Sequence, residues 1–244
     1  MEANTVKNYF ENPLVVADYL RAAEEVGLWE SERIVVEKYV PKTATILELG
    51  CGAGRIARGL SAIGYQNITA TDFSENMVLA ASELAKKYND NTVCKVCDAT
   101  KICFAPESFD AVVFGFNGLM QIPKEKNRIK AMREIYRVLK PNGVFIFTTH
   151  DRKSKGNEAY WSMESKQWIH GCQNPVLDEY GDIFYKGDHG NIFIHSPVDE
   201  EIKDNLNQVG FEILFQAMRS DIAQENALVE DFSDECVFRV VKKS

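Results

Sequence analysis

At 244 residues and 27.6 kDa, with 45% hydrophobic and 26% charged side chains, the chain has the size and composition of one folded α/β domain and is neither a disordered tail nor a fibrous repeat. Lys and Arg total 28 against 36 Asp and Glu, and the net charge of -8 repels phosphate backbones and anionic membranes, which argues against a nucleic-acid partner. The polar start after Met1 lacks a secretory signal, no apolar run approaches the roughly 20 residues a membrane span needs, and the irregularly spaced cysteines read as free thiols, so a cytoplasmic protein is expected.

Residues 1–42 are expected to supply N-terminal helices, because Val16, Tyr19, Leu20 and Ala23, then Ile34, Val35, Lys38 and Tyr39, recur at helical spacing around Gly27. An apolar run at 43–49 then reads as a strand that stops at Gly50, residues 55–62 as a helix, and 67–71 as a second strand closed by Asp72. Ser74 can cap a helix over 75–88, which 92–98 follows as a third strand. A nearly all-apolar fourth strand at 109–114, an amphipathic helix at 124–139 and a fifth strand at 144–149 continue the alternation. That rhythm predicts a parallel sheet covered on both faces.

From 151 to 197 the rhythm breaks into an aromatic-rich insertion with a hairpin around Lys186–Gly190. It leaves the fifth strand at the edge where open α/β sheets bind ligands, which makes it a candidate substrate lid; the alternative is a small satellite core. A helix at 199–209, a strand at 211–215, an acidic segment at 221–235 read as a solvated loop with a helical portion, and a last strand at 236–241 complete the chain. The last two strands lie too close for a normal crossover and are expected to pair antiparallel.

The central motif is IleLeuGluLeuGlyCysGlyAlaGlyArg, residues 46–55, between a strand and a helix. Glycines there let a ligand lie against the backbone at the carboxyl end of the sheet. Two ligand classes compete. Gly52, Gly54 and Ala57 fit a dinucleotide fingerprint, with Asp72 placed to take ribose hydroxyls, so an NAD-linked oxidoreductase is one reading. Against it, counting from Gly50 puts Arg55 at the third fingerprint position, and the carboxylate of Glu48 repels a pyrophosphate while suiting an ammonium or sulfonium.

The segments LeuGluLeuGlyCysGlyAlaGlyArg, ThrAspPheSerGluAsnMet, CysAspAlaThr, PheAspAlaValValPheGlyPheAsnGlyLeu and ArgValLeuLysProAsnGlyValPheIle, in that order, resemble the successive motifs of class I S-adenosylmethionine-dependent methyltransferases. The resemblance is strong over about 46–150 and rests on strand order elsewhere. It implies a single domain over 1–244 with a Rossmann-like, doubly wound α/β fold: a seven-stranded sheet, mostly parallel with a reversed last strand, and helices on both faces. It also implies S-adenosyl-L-methionine as cofactor. Gly50, Cys51, Gly52 and Ala53 would pass beneath its methionine part, and Glu48 would act on its ammonium through the loop and water. Asp72 would take the ribose hydroxyls, with Phe73 and Met77 beside the adenine; Asp98 and the backbone of Ala99 would hold the adenine amino group, and Phe114 with Gly115 would line the methionine end.

Cys94 and Cys97 form a CxxC, but an odd separation within a strand points the thiols to opposite faces, and no second pair or close His completes a zinc site, so no metal is expected. His150, His170, His189 and His195 are each conceivable bases, and none is singled out as catalytic. The expected activity is methyl transfer to a small-molecule acceptor by direct displacement, with RNA or protein methylation as the runner-up.

Overall fold

In the computed structural model, which describes residues 1–233 and 235–244, three helices come first: α1 (Ala3–Phe10), α2 (Pro13–Glu25) and α3 (Glu30–Tyr39). Then follow β1 (Thr45–Leu49), α4 (Arg55–Ala62), β2 (Asn67–Asp72), α5 (Glu75–Lys87), β3 (Val93–Val96), β4 (Phe109–Phe114), a short 3-10 turn (Gly118–Gln121), α6 (Glu125–Val138) and β5 (Leu139–Thr149). The remainder is α7 (Glu158–Ile169), β6 (Asp182–Gly187), β7 (Gly190–His195), α8 (Asp199–Val209), β8 (Phe211–Met218), α9 (Arg219–Ile222), α10 (Ala227–Phe232) and β9 (Val237–Lys243).

The main sheet has seven strands in the order β3-β2-β1-β4-β5-β9-β8, with β6 and β7 forming a separate hairpin. Pairing is parallel from β3 through β5, and β9 runs antiparallel to both β5 and β8. The sheet therefore reverses at β1, between β2 and β4, and opens a crevice outside the carboxyl ends of these strands.

Side-chain alternation fixes what faces that crevice. Ile46 packs with Trp29, Val36, Ile56 and Leu60 under α3 and α4, whereas Leu47 and Leu49 pack with Met132, Ile135 and Leu206 under α6 and α8. Glu48, two residues on from Ile46, shares the α3/α4 face and is 2% exposed. Val144 and Ile146 against Phe145 and Phe147 repeat this division on β5.

Three stretches differ from the sequence expectation. The polar-looking start at 3–10 is a helix whose apolar Val6 and Phe10 are buried with Met77 and Phe193. The 151–197 insertion holds the expected hairpin and also a helix, α7, around Trp161. The acidic segment at 221–235 has the expected helical portion, α10, and exposes Asp221, Glu230 and Asp231, but Glu225 is buried and accepts from Glu30 N, Ser31 N and Ser31 Oγ at 2.9, 2.9 and 2.6 Å, capping the start of α3. Among the described residues no helix is long and apolar enough to cross a membrane.

Candidate active site

A cavity enclosing about 1260 Å³ of non-protein space, part of it open to solvent, lies at the carboxyl ends of β1, β2 and β4. Its floor is the loop after β1. Gly50 and Gly52 sit at φ +60° and +52°, a conformation L side chains rarely adopt. A Cβ at Gly50 would come within 2.6 Å of the Phe114 ring, and one at Gly52 within 2.8 Å of the Tyr19 ring. The glycines thus let the loop pass between two aromatic walls.

Asp72 ties the second strand to that loop. Its Oδ2 accepts from Gly52 N and its Oδ1 from Ser74 N, both at 2.9 Å. Burial pushes this carboxyl up to about 6 against the pull of those N–H groups. Each oxygen keeps a second lone pair for a ligand, and the residue lines the cavity. At the far rim the exposed Asp98 holds its own turn, Oδ1 accepting from Thr100 N at 2.7 Å.

Glu48 is the unusual group. Its Oε2 is buried with no hydrogen-bond partner. Burial raises its pKa to about 8, with Arg55 opposing the shift and Glu32 adding to it. Arg55 cannot neutralise it, because both guanidinium arms bind Glu32 at 2.6 and 2.7 Å. A buried carboxyl oxygen left unpaired in a cavity wall is a place for a hydrogen-bond donor, and once ionised for a cation.

The roof is built by α1 and α2, which contribute Ala3, Val6, Phe10, Tyr19 and Ala22. Glu11 anchors it by accepting from Glu75 N and Asn76 N at 2.9 and 3.3 Å, at the start of α5, while Ser74 Oγ donates to Phe10 O at 3.0 Å. The hairpin clasps the outside: Asn12 Nδ2 donates to His189 O at 2.8 Å, and His189 faces Asp18 at 2.9 Å.

Of the twelve residues expected at the cofactor, Glu48, Gly50, Cys51, Gly52, Ala53, Asp72, Phe73, Asp98, Ala99, Phe114 and Gly115 line the cavity. Met77 does not: it is buried beneath Phe10 and Phe73, behind the wall. None of the lining residues comes from 151–197. Sequence reading missed the roof, although Ala3, Val6 and Phe10 already stand at helical i, i+3, i+7 spacing. It also missed Phe116 and Phe232, whose rings stack 5.0 Å apart at 17° and both border the cavity. Phe116 and Asn117 occupy φ +49° and +58°, costing of order 1–3 kcal/mol each by general experience, and such strain clusters at functional sites.

The thiols are all free. Cys97 lies just past β3 and not within it, so its partner is not Cys94; Cys103 N donates to Cys97 Sγ at 3.2 Å. Among the described residues, Glu179, Asp182 and His195 are the one group whose ligand atoms converge within 4.8 Å. Each is already engaged: His195 lies 2.8 Å from Asp182 and 2.9 Å from Glu201, and Glu179 binds Arg128 at 2.7 Å.

The sequence profile of the methyltransferase domain family matches residues 46–143, which hold the loop, Asp72, Asp98 and the Phe114–Gly115 wall. An uncharacterised methyltransferase of Schizosaccharomyces pombe is 31% identical over 165 residues, 68% of this chain and 61% of that protein. A demethylmenaquinone methyltransferase of Leptospira interrogans is 40% identical over 105 residues, 41% of each chain. The chain thus spans 61% and 41% of the length of these two curated relatives. In fold, the crystal structure of a SAM-dependent methyltransferase from Methanosarcina mazei superposes with a TM-score of 0.70 at 21% identity, covering 89% of this chain and 98% of that one. Residues 46–143 thus belong to the methyltransferase domain family, and the chain takes the fold of S-adenosylmethionine-dependent methyltransferases. S-adenosyl-L-methionine is the cofactor this family and fold imply.

Proposed function

We propose that this protein transfers a methyl group from S-adenosylmethionine to a small-molecule acceptor in the cavity described above. The observation that carries the reading is the unpaired, buried carboxyl oxygen of Glu48 beside a glycine loop, with Asp72 and Asp98 further along the same cavity. That set of acceptors fits the cofactor: Glu48, once ionised, for an ammonium, a second carboxylate for vicinal hydroxyls, and a third for an exocyclic amine. The lining offers a dinucleotide's pyrophosphate no free cation, because Arg55 is held in both arms by Glu32.

When bound, the cofactor supplies an electrophilic methyl carbon that an acceptor nucleophile takes by direct displacement. The chain's own part is positioning and exclusion of water. Gly50, Cys51, Gly52 and Ala53 bring backbone close to the methionine part, and Glu48 holds its ammonium through the loop and water. Asp72 serves the ribose, Phe73 lies beside the adenine, and Asp98 with Ala99 reads its amino group. Phe114 and Gly115 back the methionine end, and the α1/α2 roof keeps solvent off. No side chain is assigned as a general base.

The small-molecule acceptor is favoured by the net charge of -8, which disfavours nucleic acid, and by relatives that carry the name of quinone methyltransferases over about half of this chain or less. Calorimetry with S-adenosylmethionine, S-adenosylhomocysteine and NADH tests the cofactor: the two methionine nucleosides bind and NADH does not. Asp72→Ala removes charged acceptors worth roughly 1.5–3 kcal/mol each and lowers that affinity at least about tenfold. Tight NADH binding without a response to the methionine nucleosides would overturn the reading.

A further inference from the structure

Phe116 and Phe232 line the cavity and are not among the groups assigned to the cofactor. The wall they form is apolar, two rings stacked 5.0 Å apart at 17°, and Ile122 and Pro123 line the same cavity. Both rings are only partly buried, so they offer aromatic surface to whatever enters.

Charge narrows the occupant. Among the described residues lining the cavity Arg55 is the lone cation, and it is bound in both arms by Glu32. Asp72 and Asp98 are acids of the same lining. An anionic ligand would be desolvated here with nothing to pair with, whereas a flat ring gains apolar burial and edge or face contact with aromatic side chains.

Phe232 is held at that spot by the segment that carries it. Asn226 caps α10 with its side chain accepting from Val229 N at 3.1 Å, Val229 is buried in the α3/α4 core, and Glu225 is tied to the start of α3. The ring is therefore part of a fixed wall.

We infer that the methyl acceptor is a flat ring bearing no anionic group, packed against Phe232, and that Phe232 sets its affinity while no residue of 151–197 touches it. This rests on the proposal that the same cavity holds S-adenosylmethionine.

The test loads the protein with S-adenosylhomocysteine and titrates it at pH 7 with three probes of one ring size: 1-naphthol and 1-naphthylamine, both neutral, and 1-naphthoate, an anion. Calorimetry on wild type is expected to show the two neutral rings binding and naphthoate at least about tenfold weaker. Phe232→Ala should weaken 1-naphthol at least about fivefold and leave S-adenosylhomocysteine affinity within about twofold; Phe232→Leu, which keeps apolar volume without the ring, guards against a folding defect and should weaken it in the same direction. Equal binding of naphthoate, no binding of any probe, or wild-type binding of 1-naphthol by both variants would each overturn the inference. So would a parallel loss of S-adenosylhomocysteine affinity, which would put Phe232 in the cofactor's half. Failure of S-adenosylhomocysteine to bind at all is seen before any probe is added, and removes the underlying proposal instead.

Discussion

Two stretches interrupt the strand-helix alternation after β5, and they behave in opposite ways. Residues 151–197 are long, rich in aromatics, and leave the sheet at its ligand-binding edge, yet they contribute nothing to the cavity wall. Residues 219–235 are short and acidic, yet they place Phe232 in it. The difference lies in what each is tied to. The insertion is fixed to α6 and α8 on the far side of the sheet through Arg128, Glu179, Asp182, His195 and Glu201, and meets the N-terminal roof through Phe184, Phe193, His189 and Asp178. The short segment is tied to α3, on the Glu48 face, and its Phe232 lines the cavity. Anchorage decides proximity to the site, and length does not.

The largest effect expected from breaking this comparison is thermal. Trp161, 7% exposed and edge-on to Tyr160 and Tyr180, is the centre of the insertion's small core. Trp161→Ala should lower stability by roughly 3–5 kcal/mol, seen as a drop in melting temperature, with cofactor affinity per folded molecule unchanged. A loss of affinity without a thermal defect would return the insertion to the role of lid.

A smaller effect is expected in the other segment. Glu225→Ala strips three hydrogen bonds from the start of α3 and leaves buried donors unpaired, about 1–3 kcal/mol. Its signature differs: besides the modest thermal loss, binding of a neutral ring at Phe232 weakens while S-adenosylhomocysteine affinity holds. Equal loss of both would mean the segment supports the whole cavity.

Glu48 gives a pH-dependent contrast within the cavity. Its folded pKa of about 8 is raised from the ordinary 4.5, so the folded state favours the protonated acid. The stability it lends is full below the ordinary value and is lost as pH rises through 8. An ammonium ligand favours the ionised form, so S-adenosylmethionine affinity should climb by up to about tenfold per pH unit below 8 and level off above it. Glu48→Gln is expected to flatten both curves. A pH-independent wild-type affinity would detach Glu48 from the ligand.

The smallest effect belongs to His195. Burial opposes its charge, but hydrogen bonds to Asp182 and Glu201 outweigh this, with Arg128 nearby opposing, and its pKa is raised from 6.5. A raised pKa means stability present below that value and lost as pH climbs through the folded one. Melting temperature should therefore sag modestly on the alkaline side of 6.5, and His195→Asn should remove the sag without touching cofactor affinity.

The cavity lining along the strand ends was legible because its residues stand at fixed offsets from those ends. Glu48, Gly50, Asp72, Asp98 and Phe114 each lie at or just past a carboxyl end, and a parallel sheet brings such ends together whatever covers them. Met77 failed for a related reason: it is one helical turn into α5, far enough that its side chain turns under the roof. Elements outside the alternation depend on single long-range bonds that local periodicity does not encode. Glu225 reads as one acid among many until Ser31, 194 positions away, is seen beside it. Cys97 likewise has an apparent partner at Cys94 by spacing and an actual neighbour at Cys103 by the turn around Asp98.

The place of β9 in the sheet has a consequence for how the molecule is made. It is inserted between β5 and β8, so during synthesis β8 emerges before the strand that joins it to the rest. Until residues 237–243 are available, β5 presents an unpaired edge flanked by Val144, Phe145, Ile146 and Phe147, and α8 with β8 has nowhere to dock. Exposed edges of this composition are where nascent chains aggregate. Closing the sheet is therefore a late event, and loss of even a few residues from β9 would trap a half-built sheet in need of a chaperone, with the β1–β4 half already formed.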